Sequence, residues 1–256
     1  LLLHFWRKSA TPLQAALLGF CFGMGLFSAG VTWIYVSLHD FGAMPMPIAV
    51  LVLIVLCAYL SLFVTLTGWL LAKLRIAAPA IWSLTAAALW VLSEWLRSVL
   101  FTGFPWLTLG YSQVPASPLA GFAPLLGVYG VSLMLILSAA FLCLLVERGL
   151  RTRRYVLPLL TIWITGFGLQ QISWTEPQGE PVTVSLLQGN ISQDLKWRPD
   201  HVVNSMDIYA GLALESSSRL IITPEISVPL FRDEVPSGYL AQLADQIGES
   251  HATRAR

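Results

Sequence analysis

The chain has 256 residues, with 15 Lys+Arg against 14 Asp+Glu and a formal net charge of +1. Hydrophobic residues make up 56% and charged residues 11%, less than half of the roughly 25% that soluble domains carry. So few charges cannot cover a water-exposed surface, so the composition indicates a membrane protein and excludes a disordered chain, a coiled coil and a basic nucleic-acid binder. Cys21, Cys57 and Cys143 lie far apart in apolar stretches, without the spacing of a disulfide framework or metal site.

Five apolar stretches in the first 172 residues are long enough to cross a bilayer, which takes about 20 residues. They lie near 13–38, 47–72, 79–97, 119–146 and 155–172. Basic residues concentrate before the first stretch, between the second and third, and between the fourth and fifth. Because loops rich in Lys and Arg stay in the cytoplasm, five spans place everything after residue 172 outside it.

Charged residues appear near the outer end of the third predicted span, within residues 93–113 (SEWLRSVLFTGFPWLTLGYSQ). Glu94 and Arg97 are three apart, so they share a helix face and are predicted to pair with each other. Charges inside a membrane span mark functional sites by default. The alternative is that the pair only anchors the end of the span beneath the aromatic residues that follow.

Residues 173–256 carry most of the acidic residues and have the pattern of an α/β domain. Strands are predicted at 181–187 (PVTVSLL) and 219–223 (RLIIT), and helices near 200–216 and 236–249. Strand, helix, strand, helix is the beginning of a βαβ unit, whose strands lie parallel. The segment is therefore predicted to be the opening part of a larger sheet domain.

Glu225 follows Pro224 at the carboxyl end of the second predicted strand, the edge where open α/β sheets place their ligands. A carboxylate there is suited to general acid–base catalysis, although a turn acid or a helix N-cap has the same sequence pattern. The loop 188–199 (QGNISQDLKWRP) contains Trp197, which suits either a wall for a lipid chain or ordinary packing. The four histidines are scattered, so no metal site is predicted.

Four stretches, in this order, resemble the apolipoprotein N-acyltransferases, bacterial inner-membrane enzymes that complete lipoprotein maturation. They are residues 19–45 (GFCFGMGLFSAGVTWIYVSLHDFGAMP), 93–113, 188–199 and 220–229 (LIITPEISVP). The resemblance implies a polytopic α-helical membrane domain at 1–172, followed at 173–256 by the start of an α/β nitrilase-like (CN hydrolase) sandwich domain on the periplasmic side.

What the resemblance implies for function is an acyl transfer in two stages. A cysteine thiolate takes a fatty acyl chain from a phospholipid as a thioester, and the chain then passes to the α-amino group of an apolipoprotein's diacylglyceryl-cysteine. The implied partners are the phospholipid donor, the diacylated apolipoprotein acceptor and the lipid bilayer. No cofactor and no nucleic acid are expected, and the protein is expected to be a monomer.

Nitrilase-type sites use a Glu as general base, a Lys that stabilises the oxyanion and a Cys nucleophile. Glu225 matches the family's Glu, and Trp197 matches a Trp needed for activity, at the acyl or lipid site. Family members carry the Lys and the Cys farther along the chain, and neither residue type follows Glu225 here. We therefore expect that the 256-residue chain by itself forms no thioester.

Two other functions fit part of the sequence. A polytopic transporter or channel with a soluble sensor tail draws support from Glu94, Arg97 and the glycines of the first span. However, Gly19 and Gly23 are four apart, which predicts close helix packing, and no span is interrupted at mid-depth as in many transporters. A membrane-tethered amidase of the nitrilase type explains Glu225 but leaves the long membrane motifs unexplained.

Overall fold

The computed structural model describes residues 1–148, 153–192, 195, 198–231 and 233–254. The chain divides into two compact units, residues 1–176 and residues 177–256. This division falls four residues after the boundary predicted between residues 172 and 173. The two units are described separately below.

The first unit is helical. Its α-helices, in chain order, are α1 (Leu2–Lys8), α2 (Pro12–Gly30), α3 (Trp33–Val36), α4 (Met46–Lys73), α5 (Pro79–Val99), α6 (Ala123–Arg148) and α7 (Val156–Gln170). Proline stands at the first position of α2 and α5, where its missing N–H leaves no hydrogen bond unmade. Thr11 caps α2, because its side-chain oxygen accepts a hydrogen bond from the Gln14 backbone N–H over 3.2 Å.

Four helical segments are long and apolar enough to cross a membrane. They are Pro12–Gly30, Met46–Lys73, Pro79–Thr102 and Pro118–Glu147. Each overlaps one of the first four predicted spans, but the first ends at Gly30 rather than near residue 38, and the third extends to Thr102 rather than 97. In each of the first three, only 28% of the most apolar window is buried, so most of these apolar side chains face outward, where lipid would surround them. This unit is the polytopic membrane domain that the composition predicts.

The fifth predicted span is a shorter helix. With 15 residues, α7 extends about 22 Å, whereas the hydrocarbon core of a bilayer is about 30 Å thick. A fifth crossing therefore stays a prediction. The side of the membrane on which residues 177–256 lie depends on it and stays a prediction as well.

Close packing of α2 against α4 depends on two glycines. A Cβ atom at Gly19 would lie 2.7 Å from the Val64 backbone oxygen, and one at Gly23 would lie 2.8 Å from the Ser61 Cβ. Neither position has room for a side chain. The packing role predicted from the spacing of these glycines is therefore confirmed.

The second unit contains a small parallel sheet. Strands β1 (Val184–Leu186) and β2 (Leu220–Ile222) pair in parallel, with Val184 opposite Leu220. Helix α8 (Val202–Glu215) connects them, and α9 (Tyr239–Arg254) follows β2. The predicted order of strand, helix, strand and helix and the parallel pairing are confirmed. Assignment of this unit to the nitrilase-like sandwich stays a prediction.

Candidate functional site

Two charged side chains are buried near the carboxyl end of α5. Glu94 and Arg97 each keep only 3% of their surface exposed. Burying a charge is costly unless hydrogen bonds compensate it. The hydrogen-bond partners of these two side chains therefore show which part of the structure they stabilise.

Glu94 acts on Arg97 through its charge, and a direct pairing of the two side chains stays a prediction. No salt bridge joins the two among the residues that the structure describes. Glu94 Oε1 instead accepts hydrogen bonds from the Trp90 indole nitrogen (3.0 Å) and from the Leu109 backbone N–H (2.8 Å). The reason is that the segment after α5 folds back over the helix end and brings its own backbone groups within reach.

Arg97 binds the same returning segment. Its Nη1 donates to the Phe104 carbonyl oxygen over 2.8 Å and also to the Trp106 carbonyl oxygen. The Phe104 backbone N–H returns a hydrogen bond to the Arg97 carbonyl oxygen over 2.8 Å, and the guanidinium carbon lies 5.3 Å from the centre of the Phe27 ring. Glu94 and Arg97 together therefore fasten residues 104–109 to the end of α5.

The segment around these contacts, residues 101–111, is strained and carries exposed aromatic side chains; it is called the aromatic segment below. Phe101, Thr102 and Leu107 have φ angles of 51°, 73° and 61°, in the left-handed region that costs a residue with a side chain about 1 kcal/mol or more. Phe101 is 84% and Tyr111 62% exposed. Such a conformation persists only where other contacts impose it, and the hydrogen bonds of Glu94 and Arg97 are contacts of that kind.

These contacts fasten residues 104–109 to the end of α5. Both interpretations of the pair, a functional site and an anchor for the end of the span, stay predictions. Glu94 Oε2 is buried and has no hydrogen-bond partner within the part of the chain that the structure describes. A role of Glu94 and Arg97 in substrate binding stays a prediction.

Glu225 lies in the turn that begins two residues after β2 ends, and its side chain is exposed. The turn is fixed by a hydrogen bond from the Ser227 backbone N–H to the Pro224 carbonyl oxygen (3.1 Å). Another joins the Ser227 and Thr223 hydroxyl groups over 3.0 Å. The carboxylate thus follows the carboxyl edge of the parallel pair, as predicted. Trp197 and the neighbouring Lys196 lie outside the described residues.

A polar cluster that the sequence analysis missed joins α1 to α6. His4 Nδ1 lies 2.8 Å from Glu147 Oε1, Arg7 Nε lies 3.2 Å from Glu147 Oε2, and the Cys143 thiol donates to Glu147 Oε1 over 3.6 Å. The histidines are therefore not all isolated. The local signal was the four-residue spacing of Cys143 and Glu147; nothing local indicates that His4, 143 residues from Glu147, completes the cluster.

This cluster offers ligand atoms of three kinds. His4, Cys143 and Glu147 each place one such atom within 4.8 Å of the others, and zinc accepts all three donor types. The positively charged guanidinium of Arg7 already binds the same carboxylate, so it would repel a metal cation bound beside it. The geometry is that of a polar contact between helices.

Comparison with known proteins shows similarity over nearly the whole chain. The family described as the apolipoprotein N-acyltransferase N-terminal domain matches residues 1–141. The apolipoprotein N-acyltransferase of Nitrosomonas europaea is 63% identical over 245 residues, which are 96% of this chain and 49% of the relative. Those of Chromobacterium violaceum and Coxiella burnetii are 42% and 39% identical, over 93% and 99% of this chain and 46% and 52% of the relatives. The chain thus spans about half the length of the curated relatives it matches.

Proposed function

The chain belongs to the apolipoprotein N-acyltransferase family, and from this premise we propose that it forms part of a multi-pass membrane acyltransferase of the bacterial inner membrane. The enzyme would move a fatty acyl chain from a phospholipid to the α-amino group of an apolipoprotein's N-terminal diacylglyceryl-cysteine. Residues 177–256 would lie on the periplasmic side as the start of a nitrilase-like domain. The protein would act as a monomer.

The observation that carries this proposal is the position of Glu225. An exposed carboxylate three residues beyond the end of the second of two parallel strands lies at the edge where α/β sheets bind ligands. In the proposed reaction Glu225 takes the proton of a cysteine thiol, and the thiolate attacks the ester carbonyl of the phospholipid. A thioester forms and a lysophospholipid leaves with the proton.

The second stage consumes the thioester. The α-amino group of the apolipoprotein attacks the thioester carbonyl, the carbon–sulfur bond breaks and an amide bond forms. The base takes the proton that the amine loses and passes it to the sulfur, which regenerates the thiol. In the family the Cys and the Lys follow the Glu along the chain. No residue after Glu225 in this sequence is a Lys or Cys, so neither role is assigned to a residue here.

Other residues would serve substrate binding. Trp197 would line the acyl or lipid site, as the family resemblance implies. Glu94 and Arg97 would act through the aromatic segment that they fasten, by holding Phe101 and Tyr111 in the exposed positions described above. Aromatic side chains are favoured at the membrane–water interface, where both lipid substrates present their head groups.

The test is to express the complete gene product that carries this sequence and compare Glu225→Gln with the wild type. The assay supplies a phospholipid and a diacylated lipopeptide and detects the triacylated product by mass spectrometry. Glu225→Gln should lower the rate by at least about 100-fold, because the amide cannot take the thiol proton. Glu180→Gln, a change at another exposed acid of the same unit, should leave the rate unchanged.

Two results would contradict the proposal. Wild-type activity in Glu225→Gln would remove the general base from the mechanism. A purified product that makes no triacylated peptide and instead carries ions across liposome membranes would favour the transporter alternative.

A further inference from the structure

A cavity of about 460 Å³ opens at the end of the helical bundle, between the end of α4 and the starts of α2 and α5. Its lining includes Arg7, Ser9, Thr11, Arg75, Pro79 and Trp82. Two arginines and two hydroxyl groups around one cavity are unusual in a chain with so few charges. Glu147 contacts this group through Arg7.

Arg7 has hydrogen-bonding capacity that the protein does not use. Its Nε binds Glu147 Oε2 over 3.2 Å, and its guanidinium carbon lies 5.8 Å from the centre of the Trp82 ring. Its Nη1 is buried and has no hydrogen-bond partner among the described residues. The fifth of the Arg7 side chain that stays exposed lines the cavity, where its positive charge attracts an anion.

Two helix starts add positive potential at the same place. Helices α2 and α5 begin at Pro12 and Pro79, and both prolines line the cavity. The first turn of a helix carries a partial positive charge and free N–H groups. The Thr11 hydroxyl oxygen accepts from the Gln14 N–H, which leaves the hydroxyl hydrogen able to donate toward an anion.

The second arginine is exposed and able to adjust to a ligand. Arg75 follows the end of α4 in a left-handed conformation with a φ of 46°. Its planar guanidinium offers paired donors that match two oxygens of a phosphate. Arg7 and Arg75 both line the cavity and supply positive charge and donors of the kind that bind a phosphate group.

The position in the bundle indicates where that phosphate comes from. The cavity lies where spans end, and Lys73 in the last turn of α4 places its ammonium 4.3 Å from the Trp69 ring centre, the aromatic and basic pairing of a membrane interface. Basic pockets between transmembrane helices on the cytoplasmic side bind anionic head groups. We propose that this cavity binds the phosphate of an anionic phospholipid in the cytoplasmic leaflet.

This proposal rests on the membrane domain and not on the acyl-transfer proposal. The acyl-transfer site is proposed at the carboxylate of Glu225 in the other unit. A lipid held by Arg7 and Arg75 would be a structural lipid, bound whether or not the enzyme turns over.

The experiment places the whole chain in detergent and adds phosphatidylglycerol, with phosphatidylcholine as the neutral comparison. Native mass spectrometry counts the lipid molecules retained. Arg75→Gln should lower phosphatidylglycerol retention about tenfold, and Arg75→Lys should lower it less, because the charge stays while the paired donors are lost. Lys8→Gln is the matched control, since it removes the same charge from an exposed residue that does not line the cavity.

Three results would overturn the proposal. Equal loss in Lys8→Gln and Arg75→Gln would show general attraction to a basic surface. Equal retention of phosphatidylcholine and phosphatidylglycerol would remove the anion preference. Displacement of the lipid by millimolar inorganic phosphate would make a soluble phosphate the ligand. Unchanged melting temperatures in the three variants confirm that any loss is local.

Discussion

The candidate site residues of the two units differ in how far they are exposed. The membrane unit buries Glu94 and Arg97 to 3% exposure and uses them to fasten a backbone segment. The second unit leaves Glu225 exposed at the end of a short parallel sheet. The buried charges use their hydrogen bonds to hold backbone in place, whereas an exposed carboxylate at a sheet edge can contact a substrate.

Apolar side chains are exposed in both units, for different reasons. In the membrane unit the outward faces of the spans are apolar because their solvent is lipid. In the second unit the strand residues Leu186 and Val184 are 76% and 48% exposed, because two strands are too few to cover their own faces. Exposure alone therefore does not identify a membrane-facing surface. The scarcity of charge in the first unit does.

The largest effect is expected from removing the fastening of the aromatic segment. Arg97→Ala would leave the carbonyl groups of Phe104 and Trp106 without their donor and the Glu94 carboxylate without a nearby positive charge. We expect a loss of about 3 kcal/mol in the free energy of unfolding. Thermal unfolding in detergent, followed by tryptophan fluorescence, measures it.

The control for Arg97→Ala is Arg75→Ala, which removes an exposed arginine of the same unit. In detergent without anionic lipid it should change the free energy of unfolding by less than about 0.5 kcal/mol. If both variants unfold at the wild-type temperature, the buried arginine does not hold the segment, and the contrast between the two units disappears.

A smaller effect is expected from the glycines that bring α2 and α4 together. Gly19→Ala puts a methyl group 2.7 Å from the Val64 backbone oxygen, so the helices must separate; overpacking of this kind costs about 1–3 kcal/mol. Gly25→Ala is the matched control, because no atom lies within 4 Å of its added Cβ. Equal melting temperatures for the two variants would mean that the helices do not pack as closely as described.

Local patterns in the sequence predicted the elements well. Apolar length located the spans, and β-branched runs located β1 and β2, because both signals lie within the element itself. The parallel pairing followed from the intervening helix. The shared helix face of Glu94 and Arg97 was likewise readable from their spacing.

The partners of these residues were not readable, because they come from tertiary structure. Glu94 binds Leu109 fifteen residues away only because the segment after α5 turns back through left-handed residues such as Leu107. A left-handed backbone conformation is uncommon for phenylalanine and leucine, so the sequence does not predict it at these positions. The cluster around Glu147 depends on His4, at the other end of the unit. Spacing rules extend over one helix turn, and both contacts exceed that range.

The smallest effect is expected at the hydrogen bond that joins α9 to α8 in the second unit. The Tyr239 hydroxyl donates to the Met206 carbonyl oxygen over 3.4 Å, and burial, with the charge of Asp207 as a lesser cause, raises the pKa of Tyr239 above its ordinary value. A raised pKa in the folded state means that folding favours the neutral phenol. Its contribution is present below about pH 10 and is lost as the pH rises through the folded-state pKa.

Tyr239→Phe should therefore cost little near neutral pH, about 0.5 kcal/mol or less for so long a hydrogen bond. Above about pH 10 the wild type should lose protease resistance in residues 177–256, and the phenylalanine variant should not, since it has no proton to release. Subtilisin digestion at neutral and at high pH, followed by mass spectrometry of the fragments, measures both. Equal loss in the two proteins would mean that ionisation of Tyr239 does not act on this contact.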